Sequence, residues 1–225
     1  MVRCPAKVLS IRFEGALAPW EVPAFRGAMG RKVGPEHVLF HHHQPQGLRY
    51  AYPLIQYKSV KGQPGILCLG EGVEEIHHFF AHADWTLRIG ERPLPLRIDR
   101  LDLKEVVLRM EAERQSYELR DWLPLHQQAY REYQALPDLP ARAAYLQRKL
   151  TGHILSFAKG MGWHIDEDLD VRIHDLEALR PAKVKGVSMM RFGVRFSTPA
   201  VLPAGIGLGG KVSIGFGTVW PARGG

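Results

Sequence analysis

Six glycines fall within thirteen residues near the end of the chain, GIGLGGKVSIGFG from Gly205 to Gly217. Glycine admits backbone conformations and close approaches that other residues do not, so any fold of this chain must build around that stretch. It can be parsed three ways. Gly205-x-Gly207-x-x-Gly210 matches a dinucleotide fingerprint, but that motif must follow a strand and open a helix within a βαβ unit. Only fifteen residues follow Gly210, and they alternate like a strand. Gly205, four residues and Gly210-Lys211 approach a P-loop, which needs Ser or Thr after its lysine to hold magnesium; this chain has Val212. Gly207-Leu208-Gly209, five residues, then Gly215-Phe216-Gly217 is left: a loop that either packs closely on other backbone or offers N–H groups to phosphate oxygens.

Charge favours a polyanionic partner. The formal net charge is +7, and Glu177 is the last acidic residue. Arg180, Lys183, Lys185, Arg191, Arg195, Lys211 and Arg223 follow it, whereas His164 to Glu177 is acidic. A one-signed segment of this kind is the footprint of nucleic-acid binding, or else a solvated basic face. The two cysteines, Cys4 and Cys68, lie 64 residues apart without a C-x-x-C pairing, which offers neither a disulfide framework nor a zinc knuckle. No apolar run reaches the length of a membrane span, and the N-terminus alternates like a strand, so a cytoplasmic protein with no membrane contact is expected.

Hydropathy patterning predicts strand, helix, strand, strand, helix, strand in the first half. The segments are Lys7–Phe13, Val22–Lys32, Tyr50–Val60, Gly65–Leu69 (joined through Lys61–Pro64), Gly72–Ala81 and Leu94–Leu103. After a polar junction near Arg100–Gln115, Val106–Met110 and Ser116–Leu119 are expected to pair as strands. Helices follow at Leu125–Gln134 and Ala141–Met161, the second with Leu146, Leu150, Ile154, Phe157 and Met161 at helical spacing. Strands return at Leu169–Ile173, Val184–Phe196 and Val212–Val219. The predicted class is α+β: two tandem ferredoxin-like (RRM-like) domains, residues 1–104 and 105–225, the second ending in the Gly-rich loop.

His41, His42 and His43 stand together. Imidazoles titrate near pH 6.5 and suit proton transfer. In an extended segment His41 and His43 share one face about 7 Å apart. Such a pair can serve as base and acid on either side of a bound group, with Lys58 or Lys32 donating to a developing negative charge. His77, His78 and His82 form a second set, in which His78 and His82 have the i, i+4 spacing that zinc uses. No glutamate sits between those two, so helix-surface histidines are the preferred reading; no metal or cofactor is expected.

The glycine pattern, together with FRGAMGR (Phe25–Arg31), LFHHHQPQGLRYAYPLIQYK (Leu39–Lys58), GEG (Gly70–Gly72), KLTGHILSFAKGMGW (Lys149–Trp163) and the run Lys185–Trp220, resembles the b-type endoribonucleases of the repeat-associated RNA-binding superfamily, which cut CRISPR repeat transcripts into crRNA. The resemblance implies two ferredoxin-like domains, CRISPR repeat RNA as partner, and a metal-independent cut by the 2′-hydroxyl that leaves a 2′,3′-cyclic phosphate. It places the family's paired histidines on His41 and His43 and its tyrosine on Tyr50. His43 is the expected base, His41 assists, and Tyr50 holds the phosphate or a water. His42 stands where asparagine is common, which leaves open which imidazole works. RNA contacts are expected at Lys183, Lys185, Arg191, Arg195, Gly207, Gly209, Lys211, Gly215 and Gly217. The alternative function is a non-catalytic RNA-holding subunit of an RNA-guided complex.

Overall fold

Leu9, Ile11 and Phe13 of β1 (Cys4–Phe13) are buried, as their alternation predicts. In the computed structural model the described residues are 3–222 except His42, Pro45, Gln46, Arg49, Tyr50 and Lys185, and His43, Gln44, Gly47 and Leu48 are described by backbone alone. The chain divides into two compact units. One runs from Pro5 to Val107 and includes Ser213–Gly215; the other comprises Leu108–Val212 with Cys4 and the segment from Phe216 onward.

In the first unit β1 leads to α1 (Val22–Val33), the single turn α2 (Val38–His41), the short hairpin β2 (His43–Gln44) and β3 (Gly47–Leu48), and then β4 (Ile55–Val60) and β5 (Gln63–Leu69). Two short helices, α3 (Glu71–Glu75) and α4 (His77–Phe80), precede the hairpin β6 (Thr86–Ile89) and β7 (Arg92–Pro95) and the long β8 (Ile98–Leu108). The four-stranded antiparallel sheet has the order β4-β5-β1-β8. Its β4–β5 turn is tighter than expected, because Gln63 and Pro64 belong to β5 and only Lys61 (φ 53°) and Gly62 (φ 80°) bridge the strands. Two successive positive φ values match the right-handed twist of a hairpin. Phe13, Phe25, Met29, Phe40, Tyr57 and Phe79 fill the core, with Phe25 and Tyr57 edge-to-face at 5.6 Å.

The second unit contains β9 (Met110–Trp122), α5 (Gln127–Gln134), α6 (Leu139–Gly160), β10 (Arg172–Val184), β11 (Val187–Ala200) and β12 (Thr218–Pro221). Its antiparallel sheet, β10-β11-β9-β12, repeats the strand permutation of the first. Asp138 caps α6 by accepting the Ala141 N–H at 2.8 Å, and Leu146, Leu150, Ile154 and Phe157 are buried as the stripe predicts, beside Trp122, Phe192 and Phe196.

Several expected elements differ. Val106–Met110 and Ser116–Leu119 do not pair with each other, since Val106 lies in β8 of the first sheet and Ser116–Leu119 in β9 of the second. The apparent polar junction is therefore strand: β8 is an edge strand exposed along most of its length, and no buried face imposes an alternation to read. Leu94–Leu103 spans the end of one strand and the start of another. The helix expected at Gly72–Ala81 breaks at Ile76, so His78 and His82 do not share one helix face. Asp175–Lys183 joins β10 although almost all of it is solvent-facing. Val212–Ile214 forms a 3-10 turn, and Gly215 (φ 94°) and Gly217 (φ 65°) adopt conformations that no strand uses, so the last strand starts only at Thr218. No helix among the described residues is long and apolar enough to cross a membrane.

Candidate functional site

The histidine block leaves the end of α2, and two side chains from neighbouring elements hold that end in place. Tyr57 of β4 donates its hydroxyl to the Phe40 carbonyl at 3.2 Å, and Arg26 of α1 donates to the His41 carbonyl. These are carbonyls that a helix terminus leaves without intrahelical partners. Both donors come from buried surroundings: burial pushes the Tyr57 phenol far above its ordinary range and lowers the Arg26 guanidinium. Gly30 of α1 admits the His41 ring, since a Cβ there would sit 3.3 Å from the His41 Cβ. The His41 Nε2 faces the Pro35 carbonyl at 3.1 Å. A carbonyl only accepts, so Nε2–H donates, and in the neutral ring Nδ1 is the basic nitrogen.

His41 is thus the last residue of a helical turn, not part of an extended run with His43, so the one-face spacing expected of the pair does not describe it. His43 opens β2, but its side chain, like the whole of Tyr50, lies outside the described residues. Lys58 follows Tyr57 in β4, and strand alternation turns it to the opposite sheet face from Tyr57, Phe25 and α2. It is buried, and burial lowers its ammonium to about 7. The structure therefore does not bring Lys58 and His41 onto one face. Lys32 pairs with Asp84 at 3.1 Å. Arg26 and Tyr57 stand inside the family-like blocks, yet their positioning role depends on contacts 15 and 17 residues along the chain, which no local pattern reveals.

The basic segment folds into the β10–β11 hairpin, which reverses at Gly186. Arg195 is exposed, but its cross-strand neighbours on the same face are Asp175 and Glu118. Arg191 is committed elsewhere: it pairs with Asp121 at 2.9 Å and donates to the Arg180 carbonyl at 3.1 Å. Arg180 and Lys183 are exposed toward the hairpin's turn end. Lys185 lies outside the described residues.

The glycine segment is held by its own hydrogen bonds. The N–H groups of Gly205, Leu208, Gly210 and Gly217 donate to the carbonyls of Val219, Gly217, Leu123 and Asp121 at 2.7–3.0 Å, so those four do not form an open phosphate cradle. Several glycines are required by space. A Cβ on Gly207 would strike Val212, one on Gly209 (φ 100°) would lie 2.8 Å from the Trp122 ring, and one on Gly217 would meet the Leu208 carbonyl. Gly215 lies against the β4 backbone, where its Cβ would approach the Tyr57 carbonyl to 3.2 Å. Lys211 (φ 59°) projects to solvent from the middle of the segment.

Residues 5–107 match the model of the Cas6b N-terminal domain and residues 109–222 that of the Cas6b C-terminal domain. The chain belongs to the Cas6b family of CRISPR RNA processing endoribonucleases. Among solved structures, a Cas6b crystal structure is 25% identical with a TM-score of 0.83, covering 98% of this chain and 100% of that one. A structure of the CRISPR RNA processing endoribonuclease Cas6b is 23% identical with a TM-score of 0.73, covering 97% and 100%. An uncharacterized protein of Methanocaldococcus jannaschii is 33% identical over 98 residues, which are 44% of this chain and 65% of that relative's length. The Cas6b assignment spans both sheets and the Gly205–Gly217 segment.

Proposed function

We propose that the chain binds CRISPR repeat RNA and cuts it without a metal, by attack of a ribose 2′-hydroxyl on the adjacent phosphate. His43 takes the 2′-hydroxyl proton, and the 5′-oxygen departs with a proton from a second acid, leaving a 2′,3′-cyclic phosphate. His41 assists, with Nδ1 as its basic nitrogen, and Tyr50 holds the phosphate or its water. Lys58, turned to the other sheet face, takes no part in these proton transfers. The two units are read as tandem ferredoxin-like domains, with the glycine segment in the second standing where the last crossover helix would be. RNA contacts fall on Arg180, Lys183, Lys185, Arg195 and Lys211, while Gly207, Gly209, Gly215 and Gly217 shape the backbone that presents them.

The observation that supports this reading is the anchoring of the α2 end by Arg26 and Tyr57, which fixes the backbone at the assisting His41, two residues before the proposed base, and acid–base groups must be held to within about 0.5 Å to be worth their usual 10²- to 10⁴-fold in rate. The test is incubation with the cognate repeat in excess chelator. Cutting is expected, and it should stop when only the scissile nucleotide lacks its 2′-hydroxyl. Cutting of that deoxy substrate overturns the mechanism, and binding without any cutting identifies a non-catalytic RNA-holding subunit instead.

A further inference from the structure

Outside the histidine block, folding brings His37 to Glu75 and His78, a pair three residues apart that lies far along the chain from it. His37 lies just before α2, Glu75 ends α3 and His78 lies in α4, and one ligand atom from each falls within 4.8 Å of the others. The Glu75 Oε2 is 3.5 Å from the His37 Nδ1 and 3.9 Å from the His78 Nε2. A tetrahedral zinc ion with bonds of about 2.0–2.1 Å spaces its donors about 3.3 Å apart, so small side-chain adjustments close this set. We propose that His37, Glu75 and His78 form a site for a divalent transition metal of zinc type, which ties the segment leading into α2 to the α3–α4 pair.

Two further observations support the site. The Glu75 Oε2 is buried and accepts no hydrogen bond from the described residues, leaving a carboxylate oxygen short of a positive partner between two imidazoles. The two nitrogens of His37 face different carboxylates, Nδ1 toward Glu75 and Nε2 toward the Glu36 Oε1 at 3.8 Å. The His37 and His78 rings stack with centroids 3.8 Å apart at 36°. Joint ligation fans the two rings apart about their side-chain torsions, which their partial exposure permits. Two imidazoles and a carboxylate suit zinc and leave a fourth position for water. The role proposed for the ion is to link the two segments, and the proposal does not depend on the cleavage reading.

The test is titration of the metal-free full chain with Co²⁺ as spectroscopic probe and Zn²⁺ as competitor. One equivalent with tetrahedral absorption bands is expected, and zinc should raise the melting temperature. His78→Gln and Glu75→Gln should each weaken binding at least about tenfold while keeping a native circular dichroism spectrum. A His41→Ala/His43→Ala variant should still bind one equivalent. Absence of a tight equivalent, unchanged affinity in both single variants, or loss of binding only in the histidine-block variant overturns the proposal. Should one single variant misfold, the other decides.

Discussion

Lys58 gives the most quantitative prediction. Burial on the far face of the first sheet lowers its pKa from 10.5 to about 7, with desolvation as the cause. Above pH 10.5 the amine is neutral both folded and unfolded. As the pH falls, the unfolded chain takes up the proton first and the native state resists, so stability is lost from about pH 10.5 down to about pH 7 and levels off below. One proton bound by the unfolded chain alone changes stability by about 1.4 kcal/mol for every pH unit, so the change between pH 10 and pH 7 comes to about 3–4 kcal/mol. Lys58→Met, which fills a similar volume without the charge, should remove that slope. Urea unfolding of both proteins at pH 7, 8, 9 and 10 measures it, with equal m-values confirming that the same surface is exposed. The stability difference, variant minus wild type, should be larger at pH 7 than at pH 10 by about 3–4 kcal/mol. A difference that stays constant within about 1 kcal/mol across this range refutes the reasoning, because it means that the ammonium is solvated in the native state.

His43→Ala should slow cleavage by about 10²- to 10⁴-fold with little change in RNA affinity, measured by single-turnover kinetics and filter binding. His153 accepts the Trp122 Nε1–H at 3.2 Å, and burial lowers its pKa from 6.5 to about 4. Stability should therefore fall by about 3 kcal/mol as the pH drops from 6.5 to 4, and His153→Gln should flatten that limb of an acid titration. Gly217→Ala combines a φ of 65° with a Cβ driven into the Leu208 carbonyl, and should cost at least about 2 kcal/mol. Gly186→Ala, with open space around it but a φ of 81°, should cost about 1–2 kcal/mol in the same urea assay, the conformational strain alone. The five proposed contact cations, Arg180, Lys183, Lys185, Arg195 and Lys211, predict a slope of log affinity against log salt of about −3.5; Arg191→Gln should leave the slope unchanged and lower stability by up to about 1 kcal/mol through the lost Asp121 pair.

What could be read from the sequence follows from where each residue's environment is decided. The α6 stripe was legible because one helix face decides it, and β1 because strand alternation does. β8 and β10 were not, being edge strands with little buried face to impose a period. The block of three histidines marked a candidate site, but not that His41 ends a helical turn, since the contact that holds that turn, Tyr57 to the Phe40 carbonyl, comes from a separate strand. Arg26, Tyr57 and the His37–Glu75–His78 cluster depend on contacts between separate elements, and nothing short of the fold assembles them.

The C-terminal charge run shows the same limit most plainly. Along the chain, every charged side chain after Glu177 is cationic and the stretch before it is acidic. Antiparallel pairing folds the first against the second, setting Asp175 opposite Arg195 and Glu177 opposite Gly193 on a shared face, while Asp121 takes Arg191 from the neighbouring strand. Positive potential is neutralised along the base of the hairpin and persists toward its turn, where Arg180 and Lys183 have no ion-pair partner among the described residues. On the proposed RNA-binding reading, long-range attraction is strongest at the turn end of the β10–β11 hairpin and not spread over a uniformly basic face, because the acidic stretch offsets the cations at the hairpin's base.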